Sequence, residues 1–456
     1  MNFIIRLRLW AKKQVDRIHN PRLRLSLMQA LPFWIASLLA GCIAVIYAEL
    51  FAWSEHLSIN FFLEHKWTVF IITPVCFVAS AWIVKRFAPN AKGSGIPQVM
   101  ASIELAPVKK NQAKIKSLLS IKIIVTKIVS SLIMVFGGGV IGREGPTIQI
   151  AGAVFNKVNE MIPASWPKIS RQNMIMTGAA AGLAAAFNTP LGGIVFAVEE
   201  LTKTHISYFR TALFSAVIIA GLTAQGILGP YLYLGFPKIN DLTTFIFAGV
   251  ILTAVIAGLL GSLMSKLALR MMSYKSRLKV ADQWLLVIAA ALVIASIAFF
   301  INSSILGSGK EIMTHLLFTT DKNIDWYVPL LRIAGQILSI IVGGAGGVFA
   351  PALSAGASIG GVIGSWFDIS AGNANLLILS GMVAFLTGVT RTPFTAAILV
   401  LEMTDRHSII FYLMFAALIA NLVSLIIGRH SFYDVLKKQF LREANGEDGE
   451  RKLENG

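Results

Sequence analysis

Charge is scarce in this chain. Of its 456 residues 14% are Asp, Glu, Lys or Arg, while 55% are hydrophobic and the mean hydropathy is +0.71. A soluble domain cannot hide that much apolar surface, so the composition points to a polytopic membrane protein. Cysteine is nearly absent: Cys42 and Cys76 each sit inside an apolar run, which excludes a disulfide scaffold and a cysteine metal or redox centre and leaves both as small packing residues. His19, His56, His65, His205, His315, His407 and His430 show no ligand spacing, so neither metal nor cofactor is expected. An intramembrane enzyme is weighed and set aside, because no His-Glu-x-x-His occurs and no nucleophile elbow is read in the chain. The observation that discriminates is whether any serine lies within reach of a histidine.

Acidic residues are also few, 23 against 40 Lys and Arg, for a net charge of +17. That excess would suit nucleic acid, but its placement points elsewhere. Arg6, Arg8, Lys12, Lys13, Arg17, Arg22 and Arg24 precede the first apolar run. Lys266, Arg270, Lys275, Arg277 and Lys279 are read as one short loop. By the positive-inside rule both segments are cytoplasmic, and no nucleic-acid partner is expected. Ile4, Ile5, Leu7, Leu9 and Trp10 among the first cations suit an amphipathic helix on an anionic leaflet. The segment lacks the apolar core and cleavage site of a signal peptide.

What the chain has in quantity is apolar runs, near 31–53, 67–84, 118–136, 209–229, 243–264, 283–302, 329–342 and 408–427. Between them lie Gly/Ala-rich stretches near 137–155, 176–198, 343–365 and 378–401. These are too broken to face lipid as plain spans. Irregular backbone at that depth is tolerated where protein buries it or a cavity needs it.

The order of motifs repeats. Gly307-Ser-Gly309 answers Gly93-Ser-Gly95, and Gly343 through Pro351 answers Gly137 through Pro146. Gly381 through Thr392-Pro393 to Glu402 answers Gly178 through Thr189-Pro190 to Glu199. Pro146 to Pro351 spans 205 positions and Pro190 to Pro393 spans 203. Matching broken segments in two halves point to a transporter whose site lies at the repeat interface. Alignment on the prolines sets Glu144 opposite Phe349, Arg143 opposite Val348, and Glu200 opposite Met403, whereas Glu199 faces Glu402. The acid present in both halves is read as structural. Glu144 and Glu200, present in one half only, are read as assigned a task.

Three segments share the form Gly-x-x-x-Pro: Gly93 to Pro97, Gly142 to Pro146 and Gly347 to Pro351. Glycine lets backbone approach an ion closely, and proline in the first helical turn gives up an N–H that would be unpaired anyway. The expectation is several helix N-termini converging on one point, with partial positive charge suited to an anion. Ser94 is the hydroxyl best placed to complete the cage. Glu144 inside such surroundings is costly, roughly 2.5–3.5 kcal/mol on insertion scales, which marks it as functional. Burial favours its neutral form and the helix starts favour its charged form, so anion entry and protonation are coupled. Arg143 either satisfies loop carbonyls or lends positive potential to the outer vestibule. Lys127 is either a buried charge biasing the pore toward anions or half of an interhelical pair.

GSGIP at 93–97, GREGP at 142–146 and GGVFAP at 346–351 together resemble the three signatures of the CLC family of chloride channels and chloride/proton exchangers, from about residue 30 to 440. The resemblance implies an all-α polytopic fold of two inverted-topology repeats of tilted and broken helices. It also implies a homodimer in the bilayer with one pore per subunit. Carried over by motif, Gly93, Gly95, Pro97, Gly142, Arg143, Gly145, Pro146, Gly347 and Pro351 frame the selectivity region. Ser94, Val348, Phe349 and Tyr433 hold the central chloride. Glu144 is the external gating glutamate, and Glu200 the internal proton-transfer glutamate of exchangers. Water would have to bridge the gap between the two acids.

The expected division is a cytoplasmic amphipathic segment at 1–29 and a first inverted repeat at 30–230. Connecting helices with a cytoplasmic loop follow at 231–282, then a second inverted repeat at 283–440 and a disordered tail at 441–456. The short stretch after Tyr433 leaves no room for the CBS domains that many relatives carry. The expectation is therefore a prokaryotic inner-membrane protein with both termini cytoplasmic. Chloride/proton antiport is the expected activity. The alternative is a passive, voltage- or pH-gated chloride channel of the same fold, in which Glu200 is incidental. Fluoride exchange is disfavoured because the fluoride branch departs from the GREGP and serine patterns kept here.

Overall fold

Lipid offers backbone amides no partners, so a spanning chain has to satisfy them within each segment, and helices do this. The computed structural model of the chain describes residues 19–163, 166–201, 210–229, 232–239, 245–320, 322–367 and 369–445, and among these helix is the dominant structure. The first half runs through α1 (Pro21–Glu64), α2 (Val69–Phe87), α3 (Ile96–Leu105), α4 (Gln112–Leu118), α5 (Ile121–Phe136), α6 (Glu144–Met161), α7 (Arg171–Phe187), α8 (Pro190–Phe196) and α9 (Arg210–Leu228). The second half runs through α10 (Ile246–Arg277), α11 (Val280–Phe300), α12 (Lys310–Phe318), α13 (Val328–Val342), α14 (Phe349–Trp366), α15 (Ala371–Thr390), α16 (Pro393–Thr404) and α17 (Ile410–Ile427). Helix α18 (Phe432–Asn445) follows.

The halves pair helix for helix. Helix α6 packs along α7 as α14 packs along α15, and α1 lies against α7 and α9 as α10 lies against α15 and α17. At the centre, Gly142 and Gly347, 205 positions apart, exchange reciprocal backbone hydrogen bonds of 2.9 and 2.6 Å in antiparallel sense. Such a pair of equivalent residues lies on a two-fold axis, so the two halves are related by rotation and run oppositely where they meet. The α14–α15 crossing is tight enough for glycine only. A Cβ on Gly356 or Gly360 would overlap the backbone of Gly381 or Leu377, the close approach that small residues permit between membrane helices.

Several expectations change. The cations Lys266, Arg270, Lys275 and Arg277 do not form a short loop: they lie on α10, which continues to Arg277 before a break of two residues. Helix α10 packs in the second half as α1 packs in the first, and it fills most of the segment expected to connect the repeats at 231–282. Helix α1 begins at Pro21, inside the segment expected at 1–29, and residues 1–18 lie outside the described residues. The tail expected from 441 is helical to Asn445. The run at 329–342 forms α13, a 15-residue helix too short for a plain span. The Gly/Ala-rich α15 is long and apolar enough to span, and 94% of its window is buried. Glycine and alanine there mark contact with other helices, not a break in the helix.

Candidate functional site

The three Gly-x-x-x-Pro loops meet. The Gly93 N–H donates to the Gly344 carbonyl (2.8 Å) and the Gly346 N–H donates to the Gly93 carbonyl (3.1 Å). With the Gly142–Gly347 pair, four backbone hydrogen bonds tie the starts of α3, α6 and α14 together. Each helix carries its proline within the first turn, and the first N–H groups of a helix have no intrahelical acceptor. Gly95 opens α3 at φ +99° and Gly309 opens α12 at φ +85°. That left-handed conformation favours glycine and turns each chain sharply into its helix.

Glu144 is the first residue of α6 and is 1% exposed. Its Oε1 accepts a hydrogen bond from the Tyr233 hydroxyl at 3.3 Å. The N–H groups of Glu144 itself and of Ala350 on α14 are within electrostatic reach of the carboxylate, although Oε2 makes no well-aligned hydrogen bond. Oε2 rests against Gly142, where any Cβ would collide with it. The carboxylate therefore lies over two helix starts, in the place an anion would take.

Ser94 and Tyr433 come together from opposite ends of the chain. Both are buried, and neither the Ser94 Oγ nor the Tyr433 hydroxyl has a well-aligned hydrogen-bond partner, although the two hydroxyls lie close to each other. Buried hydroxyls are normally satisfied, so a pair of orphans marks a place built for a ligand. Val348 and Phe349, both 2% exposed, open α14 beside them. Ser94 Oγ and its carbonyl press on Gly145, leaving no space for a side chain there. The Phe349 ring meets the Tyr433 ring edge-on at 6.2 Å and lies 6.3 Å from Phe187, which meets Tyr233 at 5.0 Å. An aromatic column thus links the hydroxyl on Glu144 to the hydroxyl beside Ser94. Tyr233 lies in no motif, and Phe187 lies in the repeated Gly178–Pro190 stretch with nothing to mark its ring for the site.

A buried cation sits under each Gly-Ser-Gly loop. Lys127, fully buried, donates to the carbonyls of Ala91 (3.0 Å) and Gly93 (2.8 Å), so it clasps its loop and is not half of an interhelical ion pair. Arg332, equally buried, donates to the carbonyls of Ser304, Ile305, Leu306 and Gly307 at 3.0–3.2 Å and to Ser354 Oγ at 3.1 Å. Lys127 and Arg332 are 205 positions apart, the offset of the prolines. That repeat was available to identify Arg332. The Arg143 guanidinium makes no hydrogen bond to a loop carbonyl among the described residues, and its charge acts on Glu144, Tyr233 and Lys310.

Glu199 and Glu402 cross-cap the two halves. Glu199 accepts from the N–H groups of Phe394 (3.1 Å) and Thr395 (2.6 Å) and from the Thr395 hydroxyl (2.7 Å), at the start of α16. Glu402 accepts from Leu191 (3.0 Å) and Gly192 (2.6 Å), at the start of α8. Glu200, the next residue, takes no part in this exchange. It lies half-buried on the widened helical turn 197–201, and its charge, like that of Glu144, acts on Tyr433. The residues that follow it, 202–209, lie outside the described residues. One stretch does fit the spacing of a nucleophile elbow, Gly356-Ala357-Ser358-Ile359-Gly360. It is the middle of α14, where Ser358 donates to the Ser354 carbonyl (2.8 Å), and among the described residues no serine hydroxyl bonds a histidine side chain.

Comparison with known proteins gives the same architecture. The H(+)/Cl(-) exchange transporter ClcA of Salmonella typhimurium is 26% identical over 439 residues, covering 91% of this chain and 89% of the relative. The structure of a slow cyanobacterial Cl⁻/H⁺ antiporter superposes with a TM-score of 0.77 at 22% identity, covering 92% of this chain and 99% of the other. A CLC-type fluoride/proton antiporter superposes with a TM-score of 0.73 at 19% identity, covering 90% and 98%, so the fold alone does not select the anion. The profile of the voltage gated chloride channel family matches residues 75–425, more than three quarters of the length. With its three loops joined at one point between two rotated halves, this chain belongs to the voltage gated chloride channel family, the CLC proteins.

Proposed function

We propose that this chain exchanges chloride for protons across a prokaryotic inner membrane, as a homodimer with one pore per subunit and both termini in the cytoplasm. Chloride is held by the hydroxyls of Ser94 and Tyr433 and by the N–H groups of Val348 and Phe349. Glu144 is the external gate, a tethered carboxylate that competes with chloride for the same helix starts and leaves them when protonated. Glu200 takes protons from the cytoplasmic side. The observation that carries this reading is a buried carboxylate and two orphan buried hydroxyls around the joined starts of α3, α6 and α14. Outward apolar rows on the repeat-related α9 (Ile218, Leu222) and α17 (Phe411, Leu422, Ile426) suit a dimer face.

The test is efflux from chloride-loaded liposomes containing the purified protein, with chloride and external pH recorded together at controlled voltage. Uphill proton movement driven by chloride, lost in Glu200→Gln while chloride flux persists, is the expected result. Chloride flux with no proton movement in the unaltered protein would overturn antiport and leave a passive channel.

A further inference from the structure

Tyr233 stands in the segment 232–239 between α9 and α10, outside every motif, yet its hydroxyl reaches the buried Glu144 carboxylate. The segment is fixed to the second half. The Leu234 N–H donates to the Met403 carbonyl (3.1 Å), Asn375 Nδ2 donates to the Lys238 carbonyl (2.8 Å), and Gly235 turns the chain at φ +69°. The ring is held on two sides, edge-on against Phe187 at 5.0 Å and under the Lys310 ammonium, 4.9 Å from its centroid. Glu144 Oε1 is the hydrogen-bond partner of the hydroxyl. A ring needed for packing alone would be phenylalanine, because a buried hydroxyl without a partner is costly.

A hydroxyl placed in advance by rigid neighbours donates to a carboxylate without ordering cost, and such a bond is stronger to the charged than to the neutral acid. At 3.3 Å it is long for an O–H···O contact, which limits the size of its effect. We propose that Tyr233 is a latch on the gate: its hydroxyl steadies the Glu144 carboxylate over the helix starts and so sets how much chloride is needed to displace it. Tyr233 is a positioning residue in this scheme. The inference rests on Glu144 being the gate.

The experiment measures initial chloride efflux against chloride concentration in liposomes for Tyr233→Phe, Glu144→Ala and the double variant. Tyr233→Phe keeps both ring contacts and removes the donor, so half-saturating chloride should fall about 3- to 10-fold. In the Glu144→Ala background the same change should do nothing, since the latch has lost its partner. A trifluorotyrosine at 233, a stronger donor, should move half-saturation the other way. If Glu144→Ala alters coupling and Tyr233→Phe is silent, the latch is overturned and the gate stands. A Tyr233→Phe effect that persists in Glu144→Ala also overturns the latch, because the tyrosine then acts on the anion or the fold. If Glu144→Ala leaves both coupling and chloride dependence unchanged, the gate reading itself fails.

Discussion

Glu199 and Glu200 are chain neighbours to which the repeat gives opposite assignments, and Glu199→Gln separates them. The substitution removes the charge facing the start of α16 and turns an NH₂ donor toward the N–H of Phe394 or of Thr395. Three hydrogen bonds of 3.1, 2.6 and 2.7 Å depend on that carboxylate. A hydrogen bond to a charged group contributes about 1.5–3 kcal/mol, but these three share one half-buried acceptor and the glutamine keeps part of it, so about 3 kcal/mol is expected for the set. An unfolding entropy of about 2.1 cal/mol/K per residue gives roughly 1 kcal/mol/K for a chain of this length, so Tm should fall by about 3 °C. Glu402→Gln removes two bonds from the mate helix and should give a similar, somewhat smaller fall. Thermal unfolding in detergent, followed by tryptophan fluorescence, reads both. In liposomes the proton-to-chloride ratio should be unchanged in either variant. Two results would refute the assignment: no fall in Tm for either, or loss of proton coupling in a folded Glu199→Gln protein.

Two further changes probe the junction. Gly145→Ala places a methyl group where Ser94 Oγ and the Ser94 carbonyl already lie; overpacking of this kind costs about 1–3 kcal/mol. Titration calorimetry should show chloride binding lost or weakened while the protein stays folded, and unaltered binding would contradict the geometry. Arg332→Met removes the partner of four buried carbonyls and the Ser354 hydroxyl. It should cost about 3–5 kcal/mol, the range for breaking a buried charged contact, seen as a loss of folded protein on size exclusion. Lys127→Met should do less, because two carbonyls lose their donor.

Much of this protein could be read from its sequence, for reasons that are local. Glycine and proline declare where a helix starts, so the loops ending at Pro97, Pro146 and Pro351 were legible, as was their convergence. A charge in apolar surroundings declares itself, so Glu144 stood out. The offset of about 205 residues between halves marks Glu199 and Glu402 as a matched, structural pair. The same offset relates Lys127 to Arg332, so the repeat carries a sign of the second buried cation as well. Composition misled where lipid and protein make the same demand: α13 at 328–342 is apolar yet too short to span, while α15, read as broken, is long enough and buried. Nothing in a run of cations shows whether it lies in a loop or on the last turns of a helix such as α10.

The two halves, the three joined loops and the two asymmetric acids follow from primary structure, because each rests on backbone preferences or charge costs that a few adjacent residues express. Which side chains surround them depends on how the folded chain brings distant segments together. The cross-caps span 195 and 211 positions, and Tyr233 meets Glu144 across 89. Ser94 lies beside Tyr433, from the other end of the chain. Contacts at such separations leave no local periodicity, since a tyrosine that packs and a tyrosine that donates to a buried carboxylate have the same neighbours in sequence and differ only in what folding brings against the hydroxyl.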